Sequence, residues 1–112
     1  VEEMHEVLAG KCFVNIDLIE CDVHSQIPSY LNDHPELKIS LLHLDMDVYE
    51  PTVFALRTLW SRLSRGGLVV IDDYNAVEGA TRAVDEFFKE QNISDPIIKN
   101  NYYYVPSYVI KS

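Results

Sequence analysis

The sequence predicts an α/β sandwich on a parallel sheet, and three observations carry that reading. Two short, nearly continuous apolar runs, "KISLLHLDMD" and "LVVIDDY", have the pattern of strands covered on both faces. Between them Val53, Leu56, Leu59, Trp60 and Leu63 recur at helical spacing. A strand–helix–strand unit of this kind is right-handed and makes its two strands parallel neighbours.

Each element follows in order. "VEEMHEVLAG" reads as the tail of a helix already under way, with Val1, Met4 and Leu8 at helical spacing and Gly10 at its end, so the chain is expected to be a fragment. A strand is expected from Ile16 to Cys21, ending in Asp22. Ser25 offers a cap for a short helix that stops before Pro35. Pro51 suits the first turn of the central helix, and Gly66-Gly67 is expected to stop that helix and release the second apolar strand. A further helix runs from Gly79 to about Gln91, with Ala80, Ala83, Val84, Phe87 and Phe88 on its apolar face. "PIIK" and "SYVIKS" flank "NNYYYVP" as a hairpin whose aromatic loop, Tyr102 to Tyr104, covers the sheet edge or a subunit contact.

At 112 residues the chain is at most one domain, and 47% hydrophobic residues with 11% aromatics mark it as globular. Its net charge of −9, from 18 acids against 9 bases, argues against nucleic acid or an anionic membrane as partner. Cys12 and Cys21 are too few for a disulfide framework and lack metal-type spacing, and no signal peptide, lipidation signal or membrane-spanning run is visible in these residues. Two reduced thiols in a cytoplasmic protein is the expectation.

Both apolar runs end in acids. If the strands are neighbours, Asp45 and Asp72 leave the same carboxyl edge about 5 Å apart, with Asp47 and Asp73 beside them. Four carboxylates at one point repel, so either some hold protons or a cation sits among them. Oxygen ligands of this type suit a hard divalent ion such as Mg2+. The plain alternative is that each acid caps the next helix or faces solvent. His43, within the strand, reads as a packed, hydrogen-bonded core histidine, His24 as a loop residue and Trp60 as core. Glu78 and Arg82 read as a surface pair on one helix face.

Two families place acids in this way. "LLHLDMDVY" and "VVIDDY" imitate the acidic motifs of haloacid-dehalogenase-like phosphohydrolases, but that family needs a lysine between them and Val48 to Ile71 contains none. "ISLLHLDMDVYEPT" followed by "GGLVVIDDYNAVEGATRAVDEFF" more closely resembles the C-terminal half of the macrocin O-methyltransferase family. Upstream, "LIECDVHSQIPSYLNDHPELK" resembles the family as well, so the likeness covers about residues 15–91.

The resemblance implies a Rossmann-like class I methyltransferase sandwich, with residues 1–112 forming the C-terminal part of a single domain. It implies S-adenosylmethionine and Mg2+ as cofactors and a hydroxyl of a sugar or glycosylated natural product as substrate. The metal positions are matched by Asp45, Asp72 and Asp73, with Asp45 acting in catalysis through the metal. Asp22 and Asp45 match cofactor-facing positions, although Cys21 stands where the family usually has glycine. Asp47 is expected beside the ligands or as a helix cap, and either Asp47 or Tyr49 is the base unless it lies in sequence not present. Tyr49 and Tyr74 are candidates to line the substrate pocket.

The family's first two strands and Gly-rich loop have no counterpart: Gly10, Gly66, Gly67 and Gly79 form no G-x-G. The resemblance puts those strands in the centre of the sheet, between the strand at Ile16 and the fourth strand, so the strand at Ile16 loses its neighbour and an apolar edge opens next to "SLLHLD". The exposed apolar edge invites association, and a homo-oligomer is expected. Two readings follow: part of a metal-dependent O-methyltransferase, or a remnant that keeps a metal site without turnover and serves as an interaction module.

Overall fold

The computed structural model describes residues 2–10, 15–20, 22–99 and 106–112, with side chains for all of these except residues 2, 5, 8 and 9. Helix α1 (Glu2–Gly10) precedes α2 (Val23–Asp33), β1 (Ile39–Leu44), α3 (Tyr49–Leu59), a single 3-10 turn (Trp60–Arg62) and β2 (Leu63–Ile71). Helix α4 (Glu78–Glu90), β3 (Ile98–Lys99) and β4 (Ser107–Ile110) complete the order. The four strands form one mixed sheet in the order β1-β2-β4-β3. The central prediction holds: β1 and β2 are parallel neighbours joined through α3. The late hairpin forms with Ile98 opposite Tyr108, β4 pairing antiparallel to β2 as well. Tyr102 to Tyr104 lie outside the described residues.

The core lies between one face of this sheet and helices α3 and α4. Leu42 and Leu44 from β1, Val69 and Ile71 from β2 and Val109 from β4 point inward at every second position. Leu56 of α3 and Val84, Phe87 and Phe88 of α4 meet them. Trp60 packs edge-on against Phe87 and Phe88, with ring centroids 5.8 and 5.6 Å away, as expected of a core aromatic.

Four expectations need correction. The apolar run of β1 is covered on one face only: Leu42 and Leu44 are buried while Leu41 is 57% exposed. No described helix packs over that second face, so a run that reads as doubly covered alternates in burial. Residues 16–20 are not a strand, since nothing described pairs with them and a strand without a ladder partner leaves its peptide groups unpaired. Helix α2 starts at Val23, capped by Asp22 rather than Ser25, which puts His24 in its first turn rather than in a loop. Finally, Gly66-Gly67 does not end α3; the helix stops at Leu59, and the pair forms an irregularity inside β2, where the pairing jumps from Ile39–Leu63 to Leu41–Leu68. A Cβ on Gly67 would sit 2.7 Å from the Ser64 carbonyl oxygen, so only glycine fits the fold-back.

Candidate metal and methyl-transfer site

The register of β1 and β2 builds the site. Leu44 pairs with Ile71, and the Asp72 N–H donates to the Leu44 carbonyl at 3.0 Å, so Asp45 and Asp72 leave the carboxyl edge side by side. Just past β1, Asp47 adopts a left-handed backbone (φ 60°), which a short polar residue tolerates better than most. This tight turn delivers Val48 as the cap residue of α3 without any side-chain capping bond. Asp47 therefore does not cap the helix.

The turn is clamped from the other side by α4. A Cβ placed on Gly79 would lie 3.0 Å from the Tyr49 backbone nitrogen and 3.4 Å from the Val48 Cα. Glycine here lets the first turn of α4 seat against residues 47–49. The Asp47 backbone carbonyl lies 3.5 Å from the same point, so α4 packs directly against the turn that carries Asp47.

Ligand-capable oxygens of Asp45, Asp47 and Asp73 lie within 4.8 Å of one another, and a second trio, His43, Asp45 and Asp72, meets the same limit. Asp45 belongs to both. Asp72 and Asp73 each share a trio with Asp45, which is the residue common to both. Asp73 Oδ2 is buried with no hydrogen-bond donor facing it. A proton shared with Asp47 is the main cause that pushes the Asp73 carboxyl up to about 6, followed by burial and by the charges of Asp47, Asp72 and Asp45. A buried carboxylate oxygen without a donor, ringed by like charges, is the environment a divalent cation would relieve. On that observation the residues fit Mg2+.

The other candidates stand as follows. Asp22 is exposed at the start of α2, and its Oδ1 accepts the His24 N–H at 3.3 Å. The Tyr49 hydroxyl donates to Glu86 on α4, and the Arg82 guanidinium lies 4.1 Å over its ring. The hydrogen bond to Glu86 is the main reason the phenol holds its proton more tightly than usual. Arg82 thus pairs with Tyr49 and Glu86, not with Glu78. The Tyr74 hydroxyl donates to Asp85 at 2.7 Å; burial first, then that bond, push it up to about 12. Beyond Asp73, an open cleft of about 520 Å3 is lined by Asn75, Glu78, Thr81, Arg82 and Asp85.

His43 is the residue the sequence reading misplaced. It is exposed, and its Nε2 lies 3.3 Å from Asp72 Oδ1. Alternation already contained the signal: residues two apart on a strand share a face, so His43 follows Asp45 and not the buried Leu42 and Leu44.

Parallel strands that present acids at their carboxyl edge, backed by helices, define a nucleotide-type α/β fold, and solved structures place it among the methyltransferases. Over 97% of its length the chain superposes on CalS11, a TDP-rhamnose 3'-O-methyltransferase of calicheamicin biosynthesis, with a TM-score of 0.85 and 28% identity, covering 50% of that chain. The O-methyltransferase NovP shares the fold at 24% identity, with a TM-score of 0.80. The family profile described as Macrocin-O-methyltransferase (TylF) matches residues 10–105, and the chain belongs to that family. This membership removes the phosphohydrolase alternative.

Relatives agree. The chain is 44% identical over 63 residues to an 8-demethyl-8-(2,3-dimethoxy-alpha-L-rhamnosyl)-tetracenomycin-C 4'-O-methyltransferase of Streptomyces olivaceus, a stretch that is 56% of this chain and 24% of that one. It is 33% identical over 90 residues to a demethyldecarbamoylnovobiocin O-methyltransferase of Streptomyces niveus, covering 77% of this chain and 34% of the relative. The matched stretches therefore span 24% and 34% of these relatives' length. Among the described residues no helix is long and apolar enough to cross a membrane.

Proposed function

We propose that these residues form the metal-holding part of an S-adenosylmethionine-dependent, Mg2+-dependent O-methyltransferase that acts on a hydroxyl of a sugar or glycosylated natural product. One observation carries the reading: Asp45, Asp47, Asp72 and Asp73 converge at the carboxyl edge of a parallel strand pair, with an unpaired buried oxygen on Asp73. The relatives' names support the substrate class, two of them specifying rhamnose or rhamnosyl acceptors. Asp45, Asp72 and Asp73 would hold Mg2+, which supplies a Lewis acid that lowers the pKa of an alcohol and fixes its position.

The remaining chemistry belongs to the chain's own side chains. Methyl transfer from a sulfonium forms a C–O bond, breaks a C–S bond and releases the hydroxyl proton, so a base must stand at the acceptor oxygen. Of the two candidates Asp47 suits the role better. It is exposed beside Asp45, whereas the Tyr49 hydroxyl is committed to Glu86 and holds its proton tightly. Tyr49 and Tyr74 serve instead as walls of the acceptor pocket, each fixed by a carboxylate of α4. Asp22 and Asp45 face the nucleotide side, where Asp22 has its carboxylate exposed to accept an amino group.

A binding-competent half without turnover is the second reading. Its support is an apolar groove of about 300 Å3 lined by Ile19, Val23, Ile27, Leu31, Leu37 and Leu59. Calorimetric titration with Mg2+ and then S-adenosylhomocysteine separates the readings, with Asp72→Ala as control. Metal binding lost in the variant together with nucleotide binding supports the enzyme. Metal binding alone supports the half-site, and a folded chain that binds neither overturns both.

A further inference from the structure

We propose that His43 is a positioning residue for Asp72: its Nε2–H donates to Asp72 Oδ1 and holds that carboxylate turned toward Asp45, leaving Oδ2 for the metal. This deepens the metal reading above and rests on it. The geometry gives the direction of the bond. At 3.3 Å a bare Nε2 would set its lone pair against a carboxylate oxygen, so the proton belongs between them. The need for such a bond comes from the cluster itself. The Asp72 side chain is 40% exposed, and repulsion from Asp45 and Asp73 would swing it outward into water. His43 stands on the same strand face as Asp45 and is placed by the β1–β2 register, in which it pairs with Val70. A rigid strand thus fixes the donor, and the donor fixes the carboxylate. Outer hydrogen bonds to ligating carboxylates have this function in metal sites generally, and their loss costs about 10–100-fold in affinity.

The test compares two amides. In His43→Gln the amide nitrogen falls where Nε2 sits; in His43→Asn it falls short, near the Nδ1 position. Mg2+ calorimetry is expected to show at least about a 10-fold loss for Asn and retention of most of the affinity by Gln, with circular dichroism and melting unchanged. A folded Asn variant that binds like wild type overturns the proposal. Pulsed paramagnetic resonance of the wild-type chain with Mn2+ adds a spectroscopic check: strong nitrogen coupling would make His43 a ligand and overturn the positioning role. Should the Asn variant fail to fold, nitrogen-15 spectra of wild type still decide, since a proton on Nδ1 instead of Nε2 contradicts the proposal. A wild-type chain that binds no Mg2+ overturns the metal reading itself, and the role of His43 with it. Asn binding like wild type while wild type does bind overturns the role of His43 alone.

Discussion

Asp73 is where the chain's chemistry concentrates. Its carboxyl is pushed up from the ordinary 3.8 to about 6 by the hydrogen bond shared with Asp47, then by burial and the charges of Asp47, Asp72 and Asp45. The folded value lies above the unfolded one, so this group favours the folded state most below about pH 4 and loses that contribution as pH rises through 6. The metal-free chain should therefore melt at a lower temperature at pH 7 than at pH 5. Mg2+ needs the ionised group, so its affinity should fall as pH drops through 6, and saturating Mg2+ should reverse the pH trend in melting temperature. Asp73→Asn replaces a repelling oxygen with an amide donor for Asp47. It should stabilise the metal-free chain at pH 7 by about 1 kcal/mol and weaken Mg2+ binding by more than an order of magnitude, read by thermal melts and calorimetry. At this scale the acids were legible in the sequence because they end two apolar runs. The way they partition was not: alternation puts His43 on the face of Asp45, but its pairing with Asp72 needs the β1–β2 register, and no glycine marks the left-handed backbone at Asp47.

At the scale of elements the site depends on how closely α4 approaches the β1–α3 turn. In a free helix Gly79→Ala would add about 1 kcal/mol of stability from helix propensity. Here the added methyl meets backbone at 3.0 Å, which has no flexible end to move aside. The substitution should destabilise by about 1–3 kcal/mol and should also lower Mg2+ affinity, because α4 must back away from residues 47–49. A variant with raised melting temperature and intact metal binding would show that the contact does not position Asp47. Helix α4 itself was readable, since Ala80, Ala83, Val84, Phe87 and Phe88 keep one buried stripe through its length. Strand β2 was only half readable. Its outer half, Leu63 to Gly67, carries a glycine pair at an irregular pairing, and glycine signals a helix stop as readily as a bulge.

Among the described residues one face of the sheet and the outer edge of β1 are left open. Leu41 and Ile110 are 57% and 49% exposed, and β1 has a hydrogen-bonded neighbour on one side only among the described residues. Such an edge pairs with another chain unless covered. Sedimentation of the chain should show concentration-dependent association, and Leu41→Lys should shift it toward monomer; a monomer at all concentrations would contradict the expected homo-oligomer. The fold class was legible because alternating apolar runs and helical stripes are local features. The coverage of each face was not, because an apolar run does not specify which layer lies over it.

The proposed role of the carboxyl edge of β1 and β2 is to hold a divalent cation. Anomalous diffraction from crystals soaked in Mn2+ tests it most directly. One peak is expected about 2.2 Å from oxygens of Asp45, Asp72 and Asp73, and it should disappear in Asp45→Asn. An ordered cluster without that peak, or one whose ion sits elsewhere, would contradict it.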